Sequence, residues 1–407
     1  MNLYKGILNC LILLFIVLYP ILPSYGAINS DLILYLLALI QIIGLIVFKD
    51  ERKDLFKNLK LLINDKIFLF VIFLNSIMYF SVLVAEDKRI ALVGSIRFSM
   101  YIFIYYSIAY KLKIKNSVTI IMTSFLGVAS LSGIVSLIQL VILNFSNIQL
   151  SEEHRISSLL ENSNNLGAYT ILSIFIVLLL LLNEKEKKMK MLLLISFFLL
   201  IANIILSQSR NALLALFIGS LLVAIIYDKR ILIFSILLPV ILLIIPQSRY
   251  RILDILNPEQ NSSRVKIWKI AELIIKDKPY FGSGYDNFAI KYPNYVYHNP
   301  ELMIHGSYKA LHPHNIFLKI QSELGIIGTI LFILFIIAVL FTLYKSIKKT
   351  KDSKIKSLLI GITISFISFN FMNLIDCYYS TLKVITTMFV IISIITVINR
   401  NKIGYAE

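Results

Sequence analysis

Apolar residues along this chain come in long runs separated by short polar or charged turns, a pattern that predicts membrane-crossing helices. The runs lie near 7–23, 32–48, 67–85, 90–110, 118–143, 166–182, 191–206, 211–227, 231–245, 315–343, 358–375 and 384–398. Barrel strands would alternate apolar and polar residues at period two, and these runs do not. In hydrocarbon, a single segment satisfies its own backbone groups only as a helix. The expected fold class is all-α, a polytopic membrane protein of about twelve transmembrane helices forming one integral domain over residues 1–407. Lys5 precedes the first run, but Ser24-Tyr25-Gly26-Ala27 is a poor cleavage signal, so that run is read as a retained helix rather than a signal peptide.

One connection breaks the pattern of tight turns. Residues 246–314, between the ninth and tenth runs, form a 69-residue segment with four of the five histidines and the only tryptophan. Loops of that length are functional or disordered. Disorder is disfavoured here because Val265, Trp268 and Ile275 fall on one face of a predicted helix over 262–277, and aromatic residues follow from Tyr280 to Tyr308. The segment is expected to fold into a cap. A second long connection, Asn144 to Asn165, ends in the polar run Glu161-Asn162-Ser163-Asn164-Asn165.

Composition agrees with the ladder: 58% of the residues are hydrophobic and 15% charged, against about 25% charged in a soluble domain. The net charge of +17 would suggest nucleic acid in a soluble protein, so its placement decides. With the N-terminus cytoplasmic, 24 Lys and Arg fall on cytoplasmic connections and ends, and 5 on the short opposite loops. This asymmetry puts both termini in the cytoplasm and the 246–314 segment on the exoplasmic side. The basic residues are spread over many turns with no aromatic-interleaved basic face, so no nucleic-acid partner is expected. The bilayer itself is the first partner. Cys10 and Cys377 match neither a metal motif nor a disulfide framework and receive no function.

Polar residues on the outer side are then the candidates for chemistry. Arg210 sits in the hairpin Ser207-Gln208-Ser209-Arg210-Asn211 between two apolar helices. It either snorkels to headgroups or acts as an anion clamp, since a guanidinium binds phosphate oxygens in a fork. Arg264 lies near the start of the predicted cap helix, where free backbone amides also favour anions, or it is a solvated first-turn residue. Arg97 lies inside the fourth run, where a charge is costly unless it faces a polar cavity or a partner. His312 and His314 stand where the cap rejoins the membrane, with Pro313 fixing the turn. A histidine there can accept a hydroxyl proton near neutral pH or simply bind backbone. His298, His305, His312 and His314 share one loop, but their spacing matches no metal-ligand pattern, so no metal is expected. Gly282-Ser283-Gly284 lacks the flanking strand and Lys-Ser/Thr ending of a phosphate loop and is read as a turn.

The order Asn164-Asn165-Leu166-Gly167, Ser209-Arg210-Asn211-Ala212-Leu213, Ser263-Arg264-Val265-Lys266-Ile267-Trp268, Pro279-Tyr280-Phe281-Gly282-Ser283-Gly284, His314-Asn315-Ile316-Phe317-Leu318 and Glu323-Leu324-Gly325-Ile326-Ile327-Gly328 resembles the O-antigen ligase and polysaccharide polymerase superfamily. The resemblance covers about residues 160–345; Ser163 stands where the family often has proline. It implies a bacterial cytoplasmic-membrane glycosyltransferase that works on the exoplasmic face without metal or cofactor, on sugars attached to a polyprenyl diphosphate. It also implies catalytic roles for Arg210, Arg264 and His314. Arg97, Asn164, Asn315, Asp286 and Glu323 are the expected substrate-binding residues, the last two as reserve carboxylates.

The chemistry expected is inverting. Arg210 and Arg264 hold the diphosphate and stabilise its growing charge, while His314 orients or deprotonates the acceptor hydroxyl. A double displacement would need a carboxylate pair that the outer segments do not obviously offer. Polymerisation of lipid-linked repeat units into a surface polysaccharide is preferred, with a chain-length regulator as partner. The alternative within the class is a ligase moving finished glycan onto lipid A, a wall polymer or protein. A flippase or transporter is the rival from another class, but transporters gather polar groups and broken helices at the midplane.

Overall fold

The computed structural model describes residues 2–23, 30–151, 154–244, 249, 251, 253, 258–304 and 306–402. Each of the twelve apolar runs falls on a helix. In chain order these are α1 (Asn2–Ile21), α2 (Asp31–Val47), α4 (Lys66–Ser81), α5 (Lys88–Tyr106), α6 (Ser117–Phe145), α7 (Ser163–Asn183), α8 (Lys187–Ser207), α9 (Arg210–Ile226), α10 (Ile231–Ile244), α13 (Ile316–Lys349), α14 (Ser353–Met372) and α15 (Leu382–Lys402). The chain is an all-α polytopic membrane protein, and the described residues contain no β-strand, only an isolated bridge between Ile304 and Ser307. Among the described residues, seven helices are individually long and apolar enough to cross a membrane: α5 with its π-helical extension to Lys111, α6, α7, α8, α13, α14 and α15. Of the remaining expected crossings, those on α1, α4 and α9 fall on shorter apolar helices and that on α2 on a pair bent by 109°, while α10 is a helix of 14 residues.

That bend introduces α3 (Lys49–Leu62), which the sequence presented as a charged connection. Asp50 and Glu51 sit in its first turn and Lys60 in its last, the charge order a helix dipole favours. The π-helical turn Ser107–Lys111 carries Lys111 back to α3, where its ammonium meets Glu51 at 2.7 Å with both side chains buried.

Burial separates inner from outer helices. In α7 and α15, 78% and 89% of the apolar window is buried within the protein, against 28% in α8. A helix apolar all round needs neighbours all round, and α14 supplies much of the surface around α7. Lipid-facing helices are tied in by small polar pairs. Asn203 on α8 accepts from Ser136 and donates to Ser132 on α6.

Between α10 and α13 the cap contains α11 (Pro258–Asp277) and α12 (Phe288–His298). The buried face of α11 is Ile267, Ile270, Ala271 and Ile274, packed with Phe288, Tyr292, Val296 and Leu302. The stripe expected from Val265, Trp268 and Ile275 is therefore displaced: Val265 is exposed, because α12 approaches the neighbouring face.

Candidate active site

The cap is anchored by a turn docked into a break in α13. Gly325 interrupts that helix at φ 66°, ψ −166°, and Gly282 in the turn also has φ +67°. A Cβ on either would collide with backbone of the other segment, at 2.2 Å from Glu323 C or Tyr280 O. Only glycine permits both conformation and approach. The seam is closed by Ser283 N to Ser322 O, Gly284 N to Glu323 O and Ile326 N to Pro279 O, each 2.9 Å. On the other side, Asn287 exchanges hydrogen bonds with the Asp87 backbone, Tyr285 N donates to Ser81 Oγ, and Lys291 pairs with Glu86.

Asp286 and Glu323 belong to this anchor. Lys319 Nζ lies 2.6 Å from Asp286 Oδ1 and 2.7 Å from Glu323 Oε2. Glu323 further accepts from the backbone N–H of Asp286 and of Phe288. With a side chain 1% exposed, Glu323 is enclosed by protein. Both carboxylates, expected from sequence to bind substrate, thus brace the anchor through Lys319, and the Asp286 side chain also stays 35% exposed. Lys319, which holds the pair together, was hidden from sequence reasoning inside an apolar run.

His314 follows the buried Pro313 and has left-handed backbone, φ 48°, a conformation uncommon in a non-glycine residue and often found at functional sites. The half-buried Asn315 caps α13, its Oδ1 accepting from Phe317 N and Leu318 N. His314 Nδ1 lies 3.1 Å from Asp376 Oδ1, in the loop between α14 and α15, and its ring meets His312 edge-on at 4.4 Å. Burial alone would raise the Asp376 carboxyl, but its hydrogen bond with His314 and the charges of both histidines hold it below its usual range. Burial pushes His312 down to about 4, reinforced by the charge of His314. The arrangement pairs a carboxylate with one nitrogen of His314, the partner that fixes tautomer and orientation in a histidine base.

The Asp376 loop is stitched to its surroundings. Ile316 N donates to Asn373 O, Asn373 Oδ1 accepts from Tyr378 N, and Asn211 Nδ2 donates to Met372 O. Asn211 is the neighbour of Arg210, the half-buried first residue of α9. Burial and the charge of Asp376 push the Tyr378 hydroxyl well above its usual range, while Asn211 and the positive charge of Arg264 oppose that shift. Tyr378 thus lies within electrostatic reach of Asp376, Asn211 and Arg264.

Two further arginines buttress the α8–α9 hairpin. Arg155 Nε donates to Ser207 O at 2.9 Å and its Nη2 to Asn164 Oδ1 at 2.6 Å. Arg251 Nε donates to Gln208 O at 3.0 Å. Asn164 therefore positions Arg155. Arg97 lines a cavity of ≈ 140 Å³ with Tyr19, Asp31, Tyr35 and Tyr101, a lining that shares no residue with the histidine pair.

One nitrogen each from His312 and His314 and an oxygen of Asp376 lie within 4.8 Å of one another, a spacing that could hold a metal ion. This is not the four-histidine set weighed from sequence: His298 engages Asn294 O and His305 lies outside the described residues.

Residues 195–333 match the family model described as O-Antigen ligase. No curated protein matches the chain.

Proposed function

We propose, from the premise that this chain belongs to the O-antigen ligase and polysaccharide polymerase superfamily, that it transfers glycan from a polyprenyl diphosphate carrier to an acceptor hydroxyl at the exoplasmic membrane surface. The observation that carries the reading is the His314–Asp376 pair at 3.1 Å. Asp376 holds Nδ1, leaving Nε2 to meet a substrate. The acceptor oxygen attacks the anomeric carbon as its proton passes to Nε2. The bond from that carbon to the diphosphate oxygen breaks with inversion, and the electron pair leaves on the diphosphate. Arg210 and Arg264 bind that leaving group; one such electrostatic contact is worth about 3 kcal/mol in comparable sites.

Polymerisation of repeat units is the preferred reaction, in which one lipid-linked glycan serves as acceptor for another. The ligase reading is kept because the matched family is described as O-Antigen ligase. Purified protein given lipid-linked repeat unit alone should yield a ladder of products spaced by one repeat. A single product formed only after a lipid A, wall-polymer or protein acceptor is added would establish the ligase instead. If neither donor turnover nor product appears, the transferase reading is lost. A chain-length regulator protein, the expected partner of a polymerase, should narrow the ladder.

A further inference from the structure

The opposite end of the bundle carries a basic basin that the transfer reaction does not use. It opens between the start of α4 and the last turns of α13 and α15, encloses ≈ 360 Å³, and is lined by Lys66, Lys345, Lys349 and Arg400 among others. Among the described residues, Asp65 is the only carboxylate in the lining. Its oxygens are already engaged: Oδ1 caps α4 through Ile67 N and Phe68 N, and Oδ2 accepts from the Tyr105 and Tyr110 hydroxyls. Arg400 donates one amino group to Ala109 O and stacks on the Tyr110 ring, while its buried Nε meets no acceptor among the described residues. Lys66 and Lys345 both approach the Phe341 ring, at 5.1 and 4.4 Å, and Phe341 itself is 40% exposed. The basin thus has cationic walls, one spent acid and an aromatic edge on α13, one of the apolar membrane-length helices.

We propose that this basin binds a phosphate-bearing anion, with the headgroup of an acidic phospholipid as its natural form. Four cations line one open basin whose carboxylate, Asp65, is already engaged. An aromatic edge suits a ligand whose phosphate continues into acyl chains, and basic residues at a membrane surface attract anionic headgroups. The charge asymmetry of the sequence places this end in the cytoplasm, away from His314.

The test compares the full-length wild type with K345Q/K349Q, two exposed positions whose replacement spares the Arg400 contacts, and with K187Q/K188Q on exposed α8 as a charge-matched control. Lipid retention is read by native mass spectrometry and thermal midpoint after exchange into phosphatidylglycerol, phosphatidylcholine or detergent with inorganic diphosphate. The wild type and the control should retain phosphatidylglycerol and gain thermal midpoint, and K345Q/K349Q should bind roughly thirty-fold more weakly. Equal stabilisation by inorganic diphosphate, lost in K345Q/K349Q alone, would support the site but assign a soluble phosphate as its ligand. Equal retention by wild type and K345Q/K349Q, or equal loss in the control, would overturn it.

Discussion

Replacing Lys319 with methionine tests the logic of the cap anchor. The substitution preserves most of the side-chain volume and deletes an ammonium held between Asp286 and Glu323 at 2.6 and 2.7 Å. Removing one partner of a buried ion pair costs about 3–5 kcal/mol, because the orphaned charge stays desolvated. Two features place the loss near the lower end of that range. Glu323 keeps its two backbone N–H donors, and the Asp286 side chain is 35% exposed and can be hydrated. A loss of about 3 kcal/mol is large against the 5–15 kcal/mol stability of a typical domain. Trp268, the only tryptophan, lies on α11 and makes its fluorescence a local reporter of the cap. In a denaturant titration, K319M should shift the tryptophan transition to lower concentration. K319M/E323Q should recover part of the shift, since the orphaned charge is gone but one amide loses its acceptor. A K319M transition coinciding with the wild type, or a double variant less stable than the single, would refute the bracing argument.

Asp376→Asn removes the charge from the bond to His314, and charge-assisted hydrogen bonds are worth about 1.5–3 kcal/mol, so steady-state turnover should drop roughly ten- to hundred-fold with donor KM little changed. His312 titrates lower in the fold than in the unfolded chain, so the unfolded state binds more protons between about 4 and its ordinary value near 6.5. Its contribution is therefore complete above pH 6.5, and thermal stability should fall as the pH is lowered through that window, with His312→Asn flattening the slope. Gly325→Ala places a Cβ 2.2 Å from Tyr280 O at φ +66°, both prohibitive, and membrane-extracted protein should show loss of cap folding by proteolysis at the cap.

The membrane ladder was legible because the apolar runs are long and their breaks charged, and each run lands on a helix. The limits of legibility are local. Lys49–Leu62 mixes Asp, Glu and Lys in a dipole-compatible order, so the same residues that read as a charged turn form α3. Both faces of 262–277 carry apolar residues, and only the position of Phe288 and Tyr292 selects Ile267, Ile270 and Ile274 for burial. His314 was visible as a histidine at a membrane entry, but its partner Asp376 is 62 residues away, beyond two helices, where no spacing rule reaches. The one available signal was an acid two residues before paired tyrosines in a short connection between apolar runs. Asp286 and Glu323 were legible as candidate substrate-binding carboxylates, but not their shared cation, because Lys319 sits on the apolar helix α13. Asn164 and Asn315 were legible as polar positions near the site, while their work as a buttress and a helix cap depends on backbone geometry.

The central claim is that His314, set by Asp376, takes the proton while a lipid diphosphate departs. Single-turnover transfer from a labelled polyprenyl-diphosphate oligosaccharide, by purified wild type and His314→Ala with a chelator present, tests it most directly. Wild type should release polyprenyl diphosphate and form an inverted glycosidic bond, and His314→Ala should bind donor normally yet transfer at least about a hundred-fold more slowly, the scale of lost general-base catalysis. Full transfer by His314→Ala would contradict the account, as would wild-type transfer abolished by the chelator and restored by a divalent metal.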